Sequence, residues 1–316
     1  MKVVVTDYTF PALDQERAAA LAAGAEFAAF QCKTPDAVAA AVAGADVAVV
    51  QFAGFGAAAV AAVAPGATVI RYGVGYDNID VVAARARGLK IGYVPDYCAD
   101  EVADHTAAAA LSLLRKLPQL DASVRRGDWA AVKVCKPMKA FKDTTFGFFG
   151  MGQIGREVLA RLRGFGFRFI AADPGLDAGQ ALALGVALVD ADTMLQTADI
   201  ISLHAPATPQ TTGFFNAIRL ARMQPHAMIV NSARGQLIVE DDLAAALHAG
   251  VIAGAALDVF GAEPLAGTSA LRDAPNLLLT PHAAWYSDSA IGRLQGLVAQ
   301  DITRALNGQD PRKPVP

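Results

Sequence analysis

Cysteine is nearly missing from this chain. Cys32, Cys98 and Cys135 are the only three, and no two of them form a C-x-x-C pair. That excludes a disulfide framework and a cysteine-based metal cluster, so no metal is expected and the usage fits a reducing cytoplasm. A basic excess is missing too. The 27 Lys and Arg stand against 30 Asp and Glu, for a formal net charge of −3, and the isoelectric point is about 5.9. Nucleic-acid binding needs a basic face and is not expected. There are no repeats, and no low-complexity segment beyond an alanine bias. The start, Met1 to Asp7, reads as a first strand and not as a signal peptide. Residues Val47 to Ile70 carry no charge, but they are mostly Ala and Gly and contain Gln51 and Pro65. They divide into strand, loop, helix, turn and strand, so no membrane span is expected.

What is present is an apolar fraction of 54% over 316 residues, enough for two domains with buried cores. Lys2–Thr6, Val47–Gln51, Thr68–Tyr72 and Lys90–Val94 are short, apolar and β-branched, as buried parallel strands are. Leu13–Ala23, Pro35–Val42, Ala57–Val63 and Asp80–Arg87 between them read as helices. A long helical stretch follows from Ala99 to Arg125, opened by Asp100 and Glu101 and kinked or divided at Pro118. After it βα units resume, with strands expected at Ile200–His204, Ala227–Asn231, Ile252–Asp258 and Leu277–Thr280. The last helix, Ser287 to Leu306, is expected to cross back and pack on the first domain.

Near mid-chain, Thr145 to Val158 reads as strand, tight turn and helix, and Gly150, Gly152 and Gly155 form the pattern G-x-G-x-x-G. The glycines serve a tight turn, backbone approach to a pyrophosphate and close helix–strand packing, and the helix N-terminus offers free N–H groups to phosphate. A second strand, Phe167–Ala172, ends at Asp173, eighteen residues beyond Gly155. That spacing suits the acid that holds the adenosine ribose. An acid there repels a 2′-phosphate, which favours NAD over NADP. An ordinary βαβ unit with a turn aspartate is the plainer reading.

Three polar residues stand at expected strand ends in the second half: Arg234, Glu263 and His282. Ligands of open α/β sheets bind at the carboxyl ends of strands, so the three can converge. Carbonyl reduction needs such a set. A histidine supplies the proton near neutral pH, a carboxylate favours its charged form, and an arginine polarises the carbonyl and holds a substrate carboxylate. Singly, Arg234 also reads as a surface arginine, Glu263 as a loop acid and His282 as a strand cap. His105, His226 and His248 read as structural. His204 ends a strand on the cofactor side and suits a place in the adenosine pocket.

Taken together these motifs resemble the D-isomer-specific 2-hydroxyacid dehydrogenases. The resemblance rests on Tyr72–Asp80, Val102–Thr106, the Gly150 turn, Asn231–Gly235, Leu257–Phe260 with Glu263-Pro264, and Thr280-Pro281-His282, all in family order. It implies two doubly wound parallel-sheet α/β domains. A Rossmann NAD-binding domain, 99–286, would be inserted into a discontinuous flavodoxin-like substrate domain, 1–98 plus 287–316, with hinges near Cys98–Glu101 and Ala283–Ser287. It implies His282 as acid/base, Glu263 as its partner and Arg234 on substrate. NAD would be lined by Thr106, Gly150, Gly152, Gln153, Ile154, Gly155, Asp173, His204, Ala205, Pro206, Thr211, Ala233, Asp258 and His282, with Asp258 on the carboxamide. Backbone amides around Val74 and Gly75 would receive the substrate carboxylate. Family members are usually dimers through the NAD domain.

Within the family, His282–Ser287 and Arg71–Asp80 look most like the C-terminal binding protein branch. Trp285 would then line an apolar pocket with Phe52 or Phe55 and Tyr76, for a bulky or apolar substrate side chain. Two functions follow from the resemblance: an NAD-dependent oxidoreductase of D-2-hydroxy and 2-oxo acids, and an NADH-sensing interaction module resembling a corepressor. Formate oxidation releases no hydroxyl proton and has no use for Glu263. Phosphoglycerate oxidation is not expected, since it usually comes with an added regulatory domain.

Overall fold

A computed structural model describes residues 1–316, and the chain divides into two compact units, Met1–Cys98 with Tyr286–Pro316 and Ala99–Trp285. The first unit runs β1 (Lys2–Val5), α1 (Asp14–Ala22), β2 (Glu26–Ala29), α2 (Pro35–Ala41), β3 (Val47–Val50), α3 (Ala57–Ala62), β4 (Thr68–Arg71), α4 (Val81–Ala86) and β5 (Lys90–Tyr93). All five strands are parallel, in the order β2-β1-β3-β4-β5. This is the flavodoxin-like doubly wound order. β3 is buried along its whole length, which is why Val47–Val50 is uniformly apolar. β2 is missed by sequence reasoning. It is an edge strand of sequence EFAA, half-exposed, so no apolar run marks it.

In the second unit come α5 (Ala99–Leu114), α6 (Leu117–Arg125), α7 (Ala131–Cys135), β6 (Thr145–Phe149), α8 (Gln153–Leu162), β7 (Arg168–Ala172), α9 (Ala178–Leu184), β8 (Ala187–Leu188), α10 (Ala191–Thr197), β9 (Ile200–Leu203), α11 (Ala217–Leu220), β10 (Met228–Asn231), α12 (Glu240–His248), β11 (Gly254–Leu257) and β12 (Leu277–Leu279). The seven strands are parallel in the order β12-β11-β10-β9-β6-β7-β8. The order reverses at β6, so the Gly150 turn lies at the topological switch point. No helix is long and apolar enough to cross a membrane.

The helical stretch from Ala99 to Arg125 is two helices, and the break precedes the proline. Lys116 takes a left-handed φ of 51° and ends α5. Pro118 then sits in the first turn of α6, where a missing N–H costs no hydrogen bond.

The chain returns to the first unit as α13 (Asp288–Leu306), capped by Ser287 whose hydroxyl accepts from Ala290 N–H at 2.9 Å. α13 packs against α1. The tail then closes the open edge of β5, with Tyr93 N–H donating to Lys313 O at 3.1 Å and Val315 N–H to Ile91 O at 3.0 Å. Tyr286, expected in the NAD domain, belongs to this first unit and bonds Asp288 there.

Candidate active site

The glycine turn joins β6 to α8. Gly150 has φ 96°, and a Cβ there would meet Ala205 N at 2.7 Å and the His204 carbonyl carbon at 2.9 Å. Only glycine fits, and its absence of side chain seats the turn on the end of β9. Gly152 caps α8 without a side-chain bond, and a Cβ built there meets nothing within 4 Å. The open helix terminus and bare turn fit a pyrophosphate. Asp173, at the end of β7, is tied to the same turn: its carboxylate accepts from Met151 N–H at 2.6 Å and from Gly175 N–H at 2.7 Å. Gln153 is exposed, and Ile154 packs into the core beneath the turn.

His204, Ala205, Pro206 and Thr211 form the neighbouring wall. The His204 ring stacks on Phe148 at 5.9 Å, with Nε2 2.8 Å from Ser202 Oγ. Burial pushes its pKa down to about 3, so this histidine stays neutral. Thr211 Oγ1 donates to Pro206 O at 2.6 Å and accepts from Thr208 N–H at 2.8 Å, which closes the loop after β9.

Arg234, Glu263 and His282 follow β10, β11 and β12, three adjacent strands, and the structure brings them together. His282 Nδ1 lies 2.7 Å from Glu263 Oε2. The ionised carboxylate can only accept, so Nδ1 carries the proton and Nε2 is the nitrogen left for proton exchange. Burial raises the Glu263 carboxyl, but the His282 hydrogen bond and charge, the Phe260 N–H at 3.0 Å and the Arg234 charge outweigh it. The group lies below its ordinary range. His282 itself adopts a left-handed φ of 52°, unusual for a histidine.

Gly235 explains how Arg234 reaches this place. A Cβ at Gly235 would meet the Phe260 carbonyl carbon at 1.9 Å. The β10 turn therefore lies directly on the backbone that follows β11. Asn231, 1% exposed, shapes that turn: its side chain accepts from Ala233 N–H at 3.0 Å and donates to Arg234 O at 2.9 Å.

Thr106, Ala233 and Asp258 turn out as supports of this turn and of the His282 loop. Thr106 is fully buried, and its hydroxyl donates to Val102 O at 2.7 Å and meets Ser232 Oγ. Asp258, 3% exposed, is occupied by the loop that carries His282. It accepts from Thr280 Oγ1 at 2.5 Å, Ala283 N–H at 2.8 Å and Ala284 N–H at 2.9 Å. Trp285, partly buried, ends the unit.

In the first unit, the loops bearing Phe52 and Val74–Tyr76 are joined to each other. Asn78 Nδ2 donates to Gln51 O at 3.3 Å and Ala53 O at 2.9 Å. Sequence reasoning missed Asp7, 6% exposed at the end of β1. Its carboxylate accepts from the N–H groups of Gln51 at 3.1 Å, Phe52 at 2.6 Å and Ala53 at 3.0 Å. An acid directly after an apolar strand is the signal that marks it. Phe52 is 42% exposed, whereas Phe55 is 0% exposed and belongs to the core, which removes it from any pocket lining. Tyr76 packs edge-on against Tyr93, ring centroids 5.5 Å apart.

A parallel sheet of this order with a glycine turn at its switch point is the architecture of a dinucleotide-binding domain. Residues 107–284 match the D-isomer specific 2-hydroxyacid dehydrogenase family, NAD binding domain. The chain belongs to that family. It is similar to D-3-phosphoglycerate dehydrogenase of Synechocystis sp., with 38% identity over 245 residues, 78% of this chain and 44% of that protein. The protein of the same name from Archaeoglobus fulgidus is 35% identical over 78% of this chain and 46% of its own length. The aligned part thus spans less than half the length of these curated relatives. Among solved structures, the TT0316 protein of Thermus thermophilus superposes with a TM-score of 0.88 at 29% identity, over 100% of both chains.

Proposed function

We propose that this protein is an NAD-dependent oxidoreductase that interconverts a D-2-hydroxy acid and its 2-oxo acid. The observation that carries the reading is the 2.7 Å contact between His282 Nδ1 and Glu263 Oε2, with the Arg234 charge acting on the same carboxylate. NAD, when bound, supplies or accepts the hydride. The open N-terminus of α8 and the Gly150 turn hold its pyrophosphate, and Asp173 takes the ribose hydroxyls and disfavours a 2′-phosphate. Arg234 holds the substrate carboxylate and polarises the carbonyl by its planar fork. His282 delivers a proton from Nε2 to the carbonyl oxygen during reduction and takes it back during oxidation. Glu263 holds the imidazole in the Nδ1–H form.

The substrate side chain is apolar on this reading. The segments 51–56 and 72–78, which carry Phe52, Val74, Gly75 and Tyr76, contain no lysine or arginine. A phosphorylated substrate, as the names of the curated relatives indicate for those proteins, needs cationic groups at this surface, and the guanidinium that adjoins these loops, Arg71, is bonded to Tyr72 O. Trp285 would add a further apolar surface, as in the C-terminal binding protein branch. The protein works as a homodimer through its NAD domain, in the cytoplasm.

NADH oxidation against a panel of 2-oxo acids tests the reading, with a phosphorylated oxo acid included and His282→Ala as control. Turnover of apolar oxo acids, reduced by about 100-fold or more in the variant, is expected for a lost general acid. Equal rates in both proteins would overturn the role of His282. Preference for the phosphorylated acid would overturn the side-chain assignment. An interaction module would instead retain a protein partner in an NADH-dependent way and show no turnover.

A further inference from the structure

His105 lies on the second turn of α5, and the proposed reaction makes no direct use of it. Its Nε2 is 3.2 Å from Thr280 Oγ1 and 3.8 Å from Asp258 Oδ1. The Thr280 hydroxyl proton is committed to Asp258 at 2.5 Å. The Thr280 oxygen can then only accept, so His105 donates to it from Nε2. Asp258 in turn gathers Ala283 N–H and Ala284 N–H, and its backbone carbonyl accepts from His282 N–H at 2.8 Å. The chain of bonds runs from α5 through Thr280 and Asp258 to the backbone on both sides of His282.

That backbone needs holding. His282 sits at φ 52°, a strained conformation for an L residue with a side chain, which persists only where the surroundings over-determine it. Every donor that keeps Asp258 in place contributes to the constraint, and His105 is the one donor of the set that comes from outside the 280–284 loop.

We propose that His105 is a positioning residue for the His282 loop, acting through Thr280 and Asp258. It touches neither substrate nor cofactor on this assignment. The proposal rests on the reading of His282 as the proton donor for its kinetic consequence, but its structural consequence stands apart from any activity. A cavity of about 270 Å³ adjoins the ring, lined by His105, Ala109, Ser112, Asn231, Leu278 and Thr280 among others. A substituted side chain at this position therefore has room without overpacking the core.

The test is amide hydrogen exchange of residues 279–286 in the full chain, alongside steady-state kinetics, for His105→Leu, His105→Gln and Thr280→Val. His105→Leu removes the donor and should speed exchange in that segment about tenfold, the scale of one lost hydrogen bond, with protection elsewhere unchanged. kcat should fall by a similar factor while the KM for NADH stays level. His105→Gln keeps an N–H donor and should recover most of both. Adding His105→Leu to Thr280→Val should change exchange no further, because the link is already cut. Unchanged exchange in His105→Leu, equal damage from glutamine and leucine, or a rise in exchange spread over the whole unit would each overturn the proposal. If the wild-type protein reduces no 2-oxo acid, the proposed reaction fails and the exchange data alone decide on His105.

Discussion

Two buried aspartates, one in each unit, use the same device for different ends. Asp7 follows β1 and collects three N–H groups from the loop after β3. Asp258 follows β11 and collects two N–H groups and a hydroxyl from the loop after β12. In both cases a carboxylate at one strand end satisfies its lone pairs on the loop of a neighbouring strand, which fixes that loop without regular structure. The loops differ in what they present. The Asp7 cage displays Phe52, which has no ionisable group. The Asp258 cage displays His282 and aims it at Glu263. One anchor therefore governs an apolar surface and the other the histidine proposed as the proton carrier.

Removing each anchor should separate these ends. Asp258→Ala strips three donors of their acceptor in a site 3% exposed, and kcat for oxo-acid reduction should drop about 100-fold through a misplaced His282. A kcat within threefold of wild type would show that the loop holds itself. Asp7→Ala should cost about 3 kcal/mol of stability, the penalty for unsatisfied buried N–H groups. Its kinetic effect should fall on the substrate KM, raised about tenfold, with kcat nearly level. Urea unfolding and a substrate titration read the two numbers, and a loss confined to kcat would erase the contrast.

Glu263→Gln sharpens the comparison from the side of charge. Glutamine can still accept from His282 Nδ1 but carries no charge, so kcat for oxo-acid reduction should fall about tenfold with the KM for NADH level. An unchanged kcat would detach Glu263 from His282. Since Glu263 lies below its ordinary carboxyl range, the stability it contributes is full above that range. It is lost only as acidification passes through the lowered value. Phe52→Ala should have the smallest effect. KM should rise about fivefold for branched or aromatic oxo acids, the scale of a few lost apolar contacts, and stay level for glyoxylate. A uniform change across the panel would remove Phe52 from the substrate surface.

Much of the fold is legible in the sequence because parallel strands buried on both faces are apolar throughout, as Val47–Val50 and Gly254–Leu257 are. The glycine turn is legible for a similar reason, since no other residue fits its backbone. β2 is not legible, because an edge strand owes its conformation to the neighbour it pairs with. The break at Lys116 is hidden as well. A left-handed lysine has no local signature, and the nearby proline draws attention to the wrong residue. Arg234, Glu263 and His282 can be picked out by residue type and strand order, and Asp7 by its place after an apolar strand, but Gly235 and His105 cannot, since their roles depend on partners far along the chain.

The sequence by itself determined which segments are strand, turn and helix around the cofactor turn, because those choices rest on local periodicity and backbone sterics. It also determined the order of the polar residues that follow β10, β11 and β12. Only the tertiary structure decided that Glu263 meets His282 at 2.7 Å and that Asp258 is occupied by the His282 loop rather than open. Strand order sets those meetings. Hydrogen bonding between strands joins residues by their place in the sheet, and that place is chosen by burial summed over the whole unit.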